Sequence, residues 1–471
     1  MNKKQFLHLA SFAVVALGLI FAMGQLFRDK DTTLASFYSE PKNTVDVIAV
    51  GSSHVNSGVI PAVFWQDYGI NAHNVYSWGQ PMWISYHYIK EALRFQSPKV
   101  VVLDMYGIMY GNSAEQPKGI DEVNYRSSFS IDPSLNFLEM TQTVGDCGID
   151  LKNPIDFLNP IRFHTAWKRL SEENFTKNPH KEYSYLKGYG IQDGVTRIEM
   201  ADILSPVQPR MPYDTAVKYL DKIVELSKKE GFQLVFTMLP YQFRLDEREL
   251  FAWVSDYAKE KNIPFLNYCE GDGQRIGFDY ATDFSDRGHT NYKGAFKISE
   301  DMASFVSENY GALVTQPKPN AKQLDKDAQQ VFRVLKVNEE VTENVTDYFA
   351  HLKADENSVV IANINPRDGA AVSPEFLKAL DSLGISPTTP QITVAEGGKT
   401  AEYKDEFSYK GLTLTSNKEG NGILFHGEDY FPKENISYKF CIYDKILERP
   451  TFYFYYYIEG DTLVIKDFPA K

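Results

Sequence analysis

At 471 residues the chain is too long for one ordinary core, and two domains are expected. With 43% apolar and 24% charged residues it is globular in composition, and its net charge of −13, with no long Lys/Arg run, argues against a nucleic-acid partner. Cys147, Cys269 and Cys441 are widely spaced and allow one disulfide but no disulfide framework, and the nine histidines form no HxxxH-type ligand pair. No metal and no cofactor are therefore expected.

Lys3 and Lys4 precede an apolar run, 6–27, whose clearly polar members are His8, Ser11 and Gln25. Its length suits one membrane crossing, and the lysines place the N-terminus inside. A cleaved signal peptide is the competing reading, with Ala22, Met23 and Gly24 as a poor cleavage site. The run is longer than a usual signal core, which favours an uncleaved anchor over 1–30. Both readings put everything beyond Arg28 outside the cytoplasm.

After a polar stalk to Asn43, the apolar run 45–50 reads as a buried strand, followed at once by Gly51, Ser52 and Ser53. Serines after a strand commonly cap the next helix. The same position is where open α/β sheets present ligand-binding groups. A helix over 61–68, a strand over 70–76, a helix over 83–95 and a strand over 100–103 follow. Strand and helix in alternation predict a doubly wound parallel sheet. The alternation pauses over 107–212, where helices are expected at 133–144 and 154–170; this insertion either shapes a substrate site or decorates the sheet.

It resumes with a helix N-capped by Asp214 and closed by Gly231, a strand at 234–239, a helix at 247–261, a strand at 263–266, the loop 279–291 and a final helix at 292–308. The first large domain thus covers 31–314. The polar, proline-containing stretch 315–326 reads as a linker to a smaller β-rich α+β domain, 327–471. That domain carries a strand at 359–364, a helix at 374–383 and the β-favouring aromatic run 452–457.

Asp286 and His289 lie three apart in the loop before the final helix. A carboxylate at that spacing can orient an imidazole and leave its other nitrogen free to take a proton from a serine. In an open sheet this loop and the one after the first strand share an edge, so Ser53 and His289 can meet. The pair of motifs, Gly51-Ser52-Ser53 and Asp286-Arg287-Gly288-His289, resembles the first and last blocks of the SGNH (GDSL-like) hydrolase superfamily.

That resemblance covers roughly 45–308, the insertion excepted. It implies a flavodoxin-like three-layer fold, with Ser53 as nucleophile, His289 as general base and acid, and Asp286 as the orienting carboxylate. The Ser53 N–H and Gly79, in the position of the second block, would form the oxyanion hole. The third block's asparagine is missing; Asp104-Met105-Tyr106-Gly107 stands there, with Asn112 the nearest asparagine. His54 is read as a pocket wall or first-turn residue rather than the base.

With its anchor, the chain looks most like the branch containing the DltD proteins and alginate O-acetylation proteins. Those act on acylated cell-envelope glycopolymers, often beside a membrane-bound O-acyltransferase. The expected activity is a serine esterase or O-acyltransferase; the alternatives are a non-catalytic envelope-binding scaffold and, with less support, a serine protease. In the second domain, 359–367, 376–384, Gly427-Glu428-Asp429-Tyr430 and Ile442-Tyr443-Asp444 are similar to the interleukin-like EMT inducer domain, a β-rich module associated with glycan binding.

Overall fold

The computed structural model describes residues 3–27, 34–116, 131, 134–147, 168, 181–192, 194–199, 205–343, 345–365, 372–387, 391–417, 420–425, 428–429, 436–445, 449–457 and 462–467. It divides into two compact units, Met1–Ala328 and Gln329–Lys471.

Helix α1 (Lys3–Phe27) holds a window, Lys3–Ile20, long and apolar enough to cross a membrane. A signal sequence would pass the same test of length and composition. The expected stalk is structured in part: α2 (Ala35–Ser39) buries Phe37 against the edge of the His73 ring, 5.1 Å away.

The first unit is built on five strands, β1 (Val47–Gly51), β2 (Ala72–Tyr76), β3 (Val100–Asp104), β4 (Gln233–Met238) and β5 (Phe265–Asn267), in the order β2-β1-β3-β4-β5. All pairings are parallel, which is the flavodoxin-like doubly wound order, with its switch point between β1 and β3. The side chains alternate between two cores. Ile48, Val50, Val101, Leu103 and Phe236 face one helical layer; Val47, Ala49, Val100, Val102 and Val235 face the other. Burial on both faces explains why these strands read as unbroken apolar runs.

Helices α3 (Ser53–Gly58) and α4 (Pro61–Tyr68), together with Tyr292–Val314, cover one face; α5 (Met82–Leu93) and the helices Asp214–Glu230 and Arg248–Lys261 cover the other. Asp214 is the first helical residue rather than the cap, which is Tyr213 with no side-chain bond; it instead places a negative charge in the first turn, near the positive end of the helix dipole. Gly231 closes that helix at φ +81°, a left-handed conformation that glycine adopts without a Cβ clash.

The insertion has two kinds of described segment. Helix Leu135–Asp146 packs on α5, where Asn136 Oδ1 and Thr143 Oγ1 flank the two ring nitrogens of His87 at 2.9 and 3.0 Å. The segments 188–192 and 194–198 lie instead beside α3 and the loop carrying His289. The expected helix 154–170 falls outside the described residues, apart from Lys168.

The expected linker 315–326 is only partly a linker. Ala321–Glu343 is a helix, and its first turns are tied to the first unit by Asp325, which accepts from Trp65 Nε1 at 2.8 Å. Lys318, just before it, pairs with the buried Asp46. The prolines at 317 and 319 precede the helix and so do not interrupt it.

The second unit holds a six-stranded antiparallel sheet, centred on Ser358–Ile364 and Tyr438–Asp444, and a four-stranded antiparallel sheet. Helix Pro374–Ser382 packs Phe376 face to face on Tyr456 at 4.0 Å. Of the stretches similar to the interleukin-like EMT inducer domain, 366–367, Gly427 and Tyr430 fall outside the described residues. Cys147, Cys269 and Cys441 are each free and buried, so the disulfide that spacing allowed does not form.

Candidate active site

Chain geometry at the end of β1 decides which serine is presented. Ser52 is the N-cap of α3 and is buried; its Oγ accepts from the His54 N–H at 3.3 Å. Ser53, the first helical residue, points its Oγ out to His289 Nε2 at 2.8 Å. The capping role and the outward hydroxyl therefore both exist, on successive residues.

The other ring nitrogen, His289 Nδ1, lies 3.0 and 2.9 Å from the two Asp286 carboxylate oxygens. Burial alone would raise the Asp286 carboxyl. The His289 ring and the backbone N–H groups of Gly288 and His289 donate to it and hold it below the usual carboxylate range. The pair lies at the protein surface, with the Asp286 side chain 59% and the His289 side chain 32% exposed.

Several bonds fix this loop. Phe284 and Thr290 form an antiparallel bridge, and the Ser285 N–H donates to His289 O at 2.9 Å. Thr290 Oγ1 donates to Ser57 O at 3.0 Å, which ties the loop directly to α3. Asn291 caps Tyr292–Val314 and donates from Nδ2 to Thr282 O at 2.7 Å and Gly194 O at 3.1 Å. The insertion contributes here: Thr196 bonds Phe284 O and Ser285 O, and the Gly190 N–H donates to Asn56 O on α3. A Cβ at Gly190 would lie 2.4 Å from Asn56 Oδ1, so a larger residue there would push aside the amide that donates to Gly188 O.

On the opposite side of the histidine is an aromatic wall. The buried His54 ring lies 4.1 Å from Tyr106, 5.2 Å from Tyr241 and 5.9 Å, edge-on, from His289. Burial first, and the nearby His289 second, push His54 down to about 3, so the ring is neutral and unsuited to act as a base near neutrality. Tyr106 and Tyr241 were not singled out by sequence reasoning. The available signal was position, since each closely follows the carboxyl end of a central parallel strand.

Gly79 lies in the turn after β2 at φ +56° and is half-buried. Ser77 Oγ donates to Gln80 Oε1 at 2.9 Å, and Gln80 Nε2 donates to Ser85 Oγ at 3.0 Å, which stiffens that turn. The register Gly51↔Tyr76 brings the ends of β1 and β2 level, so the start of α3 at Ser53 and the turn at Gly79 follow neighbouring strands at one edge. Asn112 is engaged elsewhere: its Nδ2 donates to Thr215 Oγ1, and its Oδ1 accepts from the Ala114 and Glu115 N–H groups. Among the described residues no group of three or more His, Cys, Asp or Glu could hold a metal ion.

No family model and no curated protein matches the chain. Solved structures give distant likenesses. One is a protein described as lipolytic and of the G-D-S-L family from Desulfitobacterium hafniense DCB-2, at 14% identity and TM-score 0.28, covering 56% of this chain and 99% of that one. Another is described as an acylhydrolase from Bacteroides fragilis NCTC 9343, at 14% and 0.29, covering 61% and 99%. A GDSL-like lipase from Bacteroides thetaiotaomicron VPI-5482 gives 14% and 0.27, covering 61% and 95%. TM-scores this low carry no argument about activity.

Proposed function

We propose that the protein is a serine esterase or O-acyltransferase of SGNH type, anchored with its N-terminus inside and acting outside the cytoplasm on acyl esters of an envelope glycopolymer. The observation that carries this reading is the hydrogen-bonded chain Ser53–His289–Asp286 at the carboxyl edge of a parallel sheet. In it, His289 Nε2 takes the Ser53 proton as Oγ attacks the ester carbonyl. Asp286 fixes the tautomer through Nδ1 and supports the imidazolium that forms. The proton then passes to the leaving alcohol and an acyl-serine results.

Water or a sugar hydroxyl, deprotonated by the same histidine, attacks the acyl-serine and completes hydrolysis or transfer. The Ser53 and Gly79 N–H groups are the proposed oxyanion donors. Membership of the DltD-like branch, a membrane-bound acyltransferase partner and glycan binding by the second unit belong to the same proposal. They rest on the sequence resemblance.

The test is labelling of the full chain by a fluorophosphonate. Wild type should label and Ser53→Ala should not; labelling that survives the substitution would sink the assignment. A non-catalytic scaffold has one observation in its favour: no asparagine stands in the third block, and the Asn112 amide is engaged elsewhere. Absence of wild-type labelling would select that reading.

A further inference from the structure

Asp104 ends β3 at the switch-point edge, 1% exposed, and no step of the proposed reaction uses it. It packs directly beneath the turn that presents the nucleophile. A Cβ on Gly51 would lie 2.6 Å from Asp104 Cβ and 3.2 Å from Oδ2, so only glycine fits above it. Oδ1 accepts two long bonds of 3.5 Å, from the Leu239 N–H after β4 and the Tyr106 N–H of its own chain. Among the described residues Oδ2 is buried with no partner, and so is the Oγ1 of Thr237, its register neighbour on β4.

We propose that Asp104 is a positioning residue for Ser53, its side chain packed as a wedge between the Gly51–Ser53 turn and the end of β4. This rests on the reading of Ser53 as nucleophile. The surroundings disfavour the ionised form. The titratable groups around the carboxyl are Tyr106 on its own element, Tyr241 after β4 and Cys269 after β5, with His54 on α3 against the two tyrosine rings.

Burial keeps the phenols and the thiol protonated and the His54 ring neutral, so none of these groups offers a positive charge. Among the described residues the Asp104 carboxyl has no ion pair, and burial, only partly offset by the Leu239 and Tyr106 N–H groups, pushes it up to about 7. Ionised, it would place an unpaired charge under the turn. That charge opposes the negative charge which develops on the acyl group at Ser53, and it draws polar groups of the turn toward itself.

The experiment follows fluorophosphonate labelling rates of the full chain from pH 5 to pH 9 in wild type, Asp104→Asn and Asp104→Ala. Asp104→Ala removes the wedge and should slow labelling by about ten- to a hundred-fold. Asp104→Asn, uncharged and of the same shape, should recover most of that loss. Wild-type labelling should fall by up to about ten-fold per pH unit above pH 7, and the fall should vanish in Asp104→Asn. Identical pH profiles for wild type and Asp104→Asn, or an Asp104→Ala rate equal to wild type, would overturn the proposal.

Hydrogen exchange of the 51–55 amides separates this failure from failure of the Ser53 assignment, because it needs no reaction. After correction for intrinsic rates, exchange should accelerate above pH 7 in wild type and not in Asp104→Asn. Equal exchange in the two would overturn the positioning role whether or not Ser53 labels.

Discussion

Replacing Asp104 by Asn should stabilise the first unit strongly in alkali and hardly at all in acid. The carboxyl ordinarily titrates at 3.8, and burial moves it to about 7 in the folded protein. Folding therefore retains a proton that the unfolded chain gives up. The stability linked to this proton is fully present below pH 3.8 and is lost as pH rises to about 7. The interval spans about three pH units at about 1.4 kcal/mol each, so the loss at pH 8 is about 4 kcal/mol. That is a large share of a domain's usual stability of about 5–15 kcal/mol.

Asparagine keeps the oxygen that accepts from Leu239 and Tyr106 and has no charge to lose. The assay is urea unfolding of the full chain in detergent, followed by tryptophan fluorescence and repeated from pH 4 to pH 8. All five tryptophans lie in the first unit or in the stretches assigned to it. The difference between variant and wild type isolates the single group, because the other titrations cancel. It should grow with pH and level off above about pH 8. A difference constant to within about 0.5 kcal/mol across that range would refute the reasoning.

Three further outcomes follow. Asp286→Asn should lower kcat for ester hydrolysis by about a hundred-fold; the exposed setting of Asp286 makes the effect smaller than the ~10⁴-fold loss of a buried counterpart. A change below about three-fold would remove Asp286 from the orienting role. Gly51→Ala forces a Cβ to within 2.7 Å of Val55 Cγ2 as well as onto Asp104, and should cost about 1–3 kcal/mol in denaturant midpoint while slowing labelling of Ser53. Burial lowers His54 and His73 to about 3 and His87 to about 4, so their stability is present above pH 6.5 and lost as pH falls toward those values. The urea midpoint should accordingly be lower at pH 4 than at pH 7, and His87→Gln should reduce that difference.

The alternation of apolar runs with helical patterns marked the parallel sheet, because strands buried on both faces must be apolar throughout. β1 and β3 were visible for that reason, and Ser53 was visible because two serines follow the first of them. The helix Ala321–Glu343 was less legible. Its start reads as a polar linker, and what draws it in is a set of distant contacts, Trp65 with Asp325 and Asp46 with Lys318. Which serine of the Ser52–Ser53 pair faces the remote histidine could be argued from sequence, but the division of labour between cap and outward hydroxyl is a matter of helix geometry.

Local sequence thus determined the periodicities, the strand ends and the residues with chemistry at them, since each depends on near neighbours along the chain. Tertiary structure alone decided the rest. Strand order set β1 beside β3 and β2, the insertion segments 188–192 and 194–198 came to brace α3 and the His289 loop, and Asp104 was walled in by Gly51, Tyr106 and Tyr241. Burial and charge state depend on what surrounds a group in space. For Asp104 that surrounding is assembled from β1, β3 and the ends of β4 and β5, which no stretch of sequence displays together.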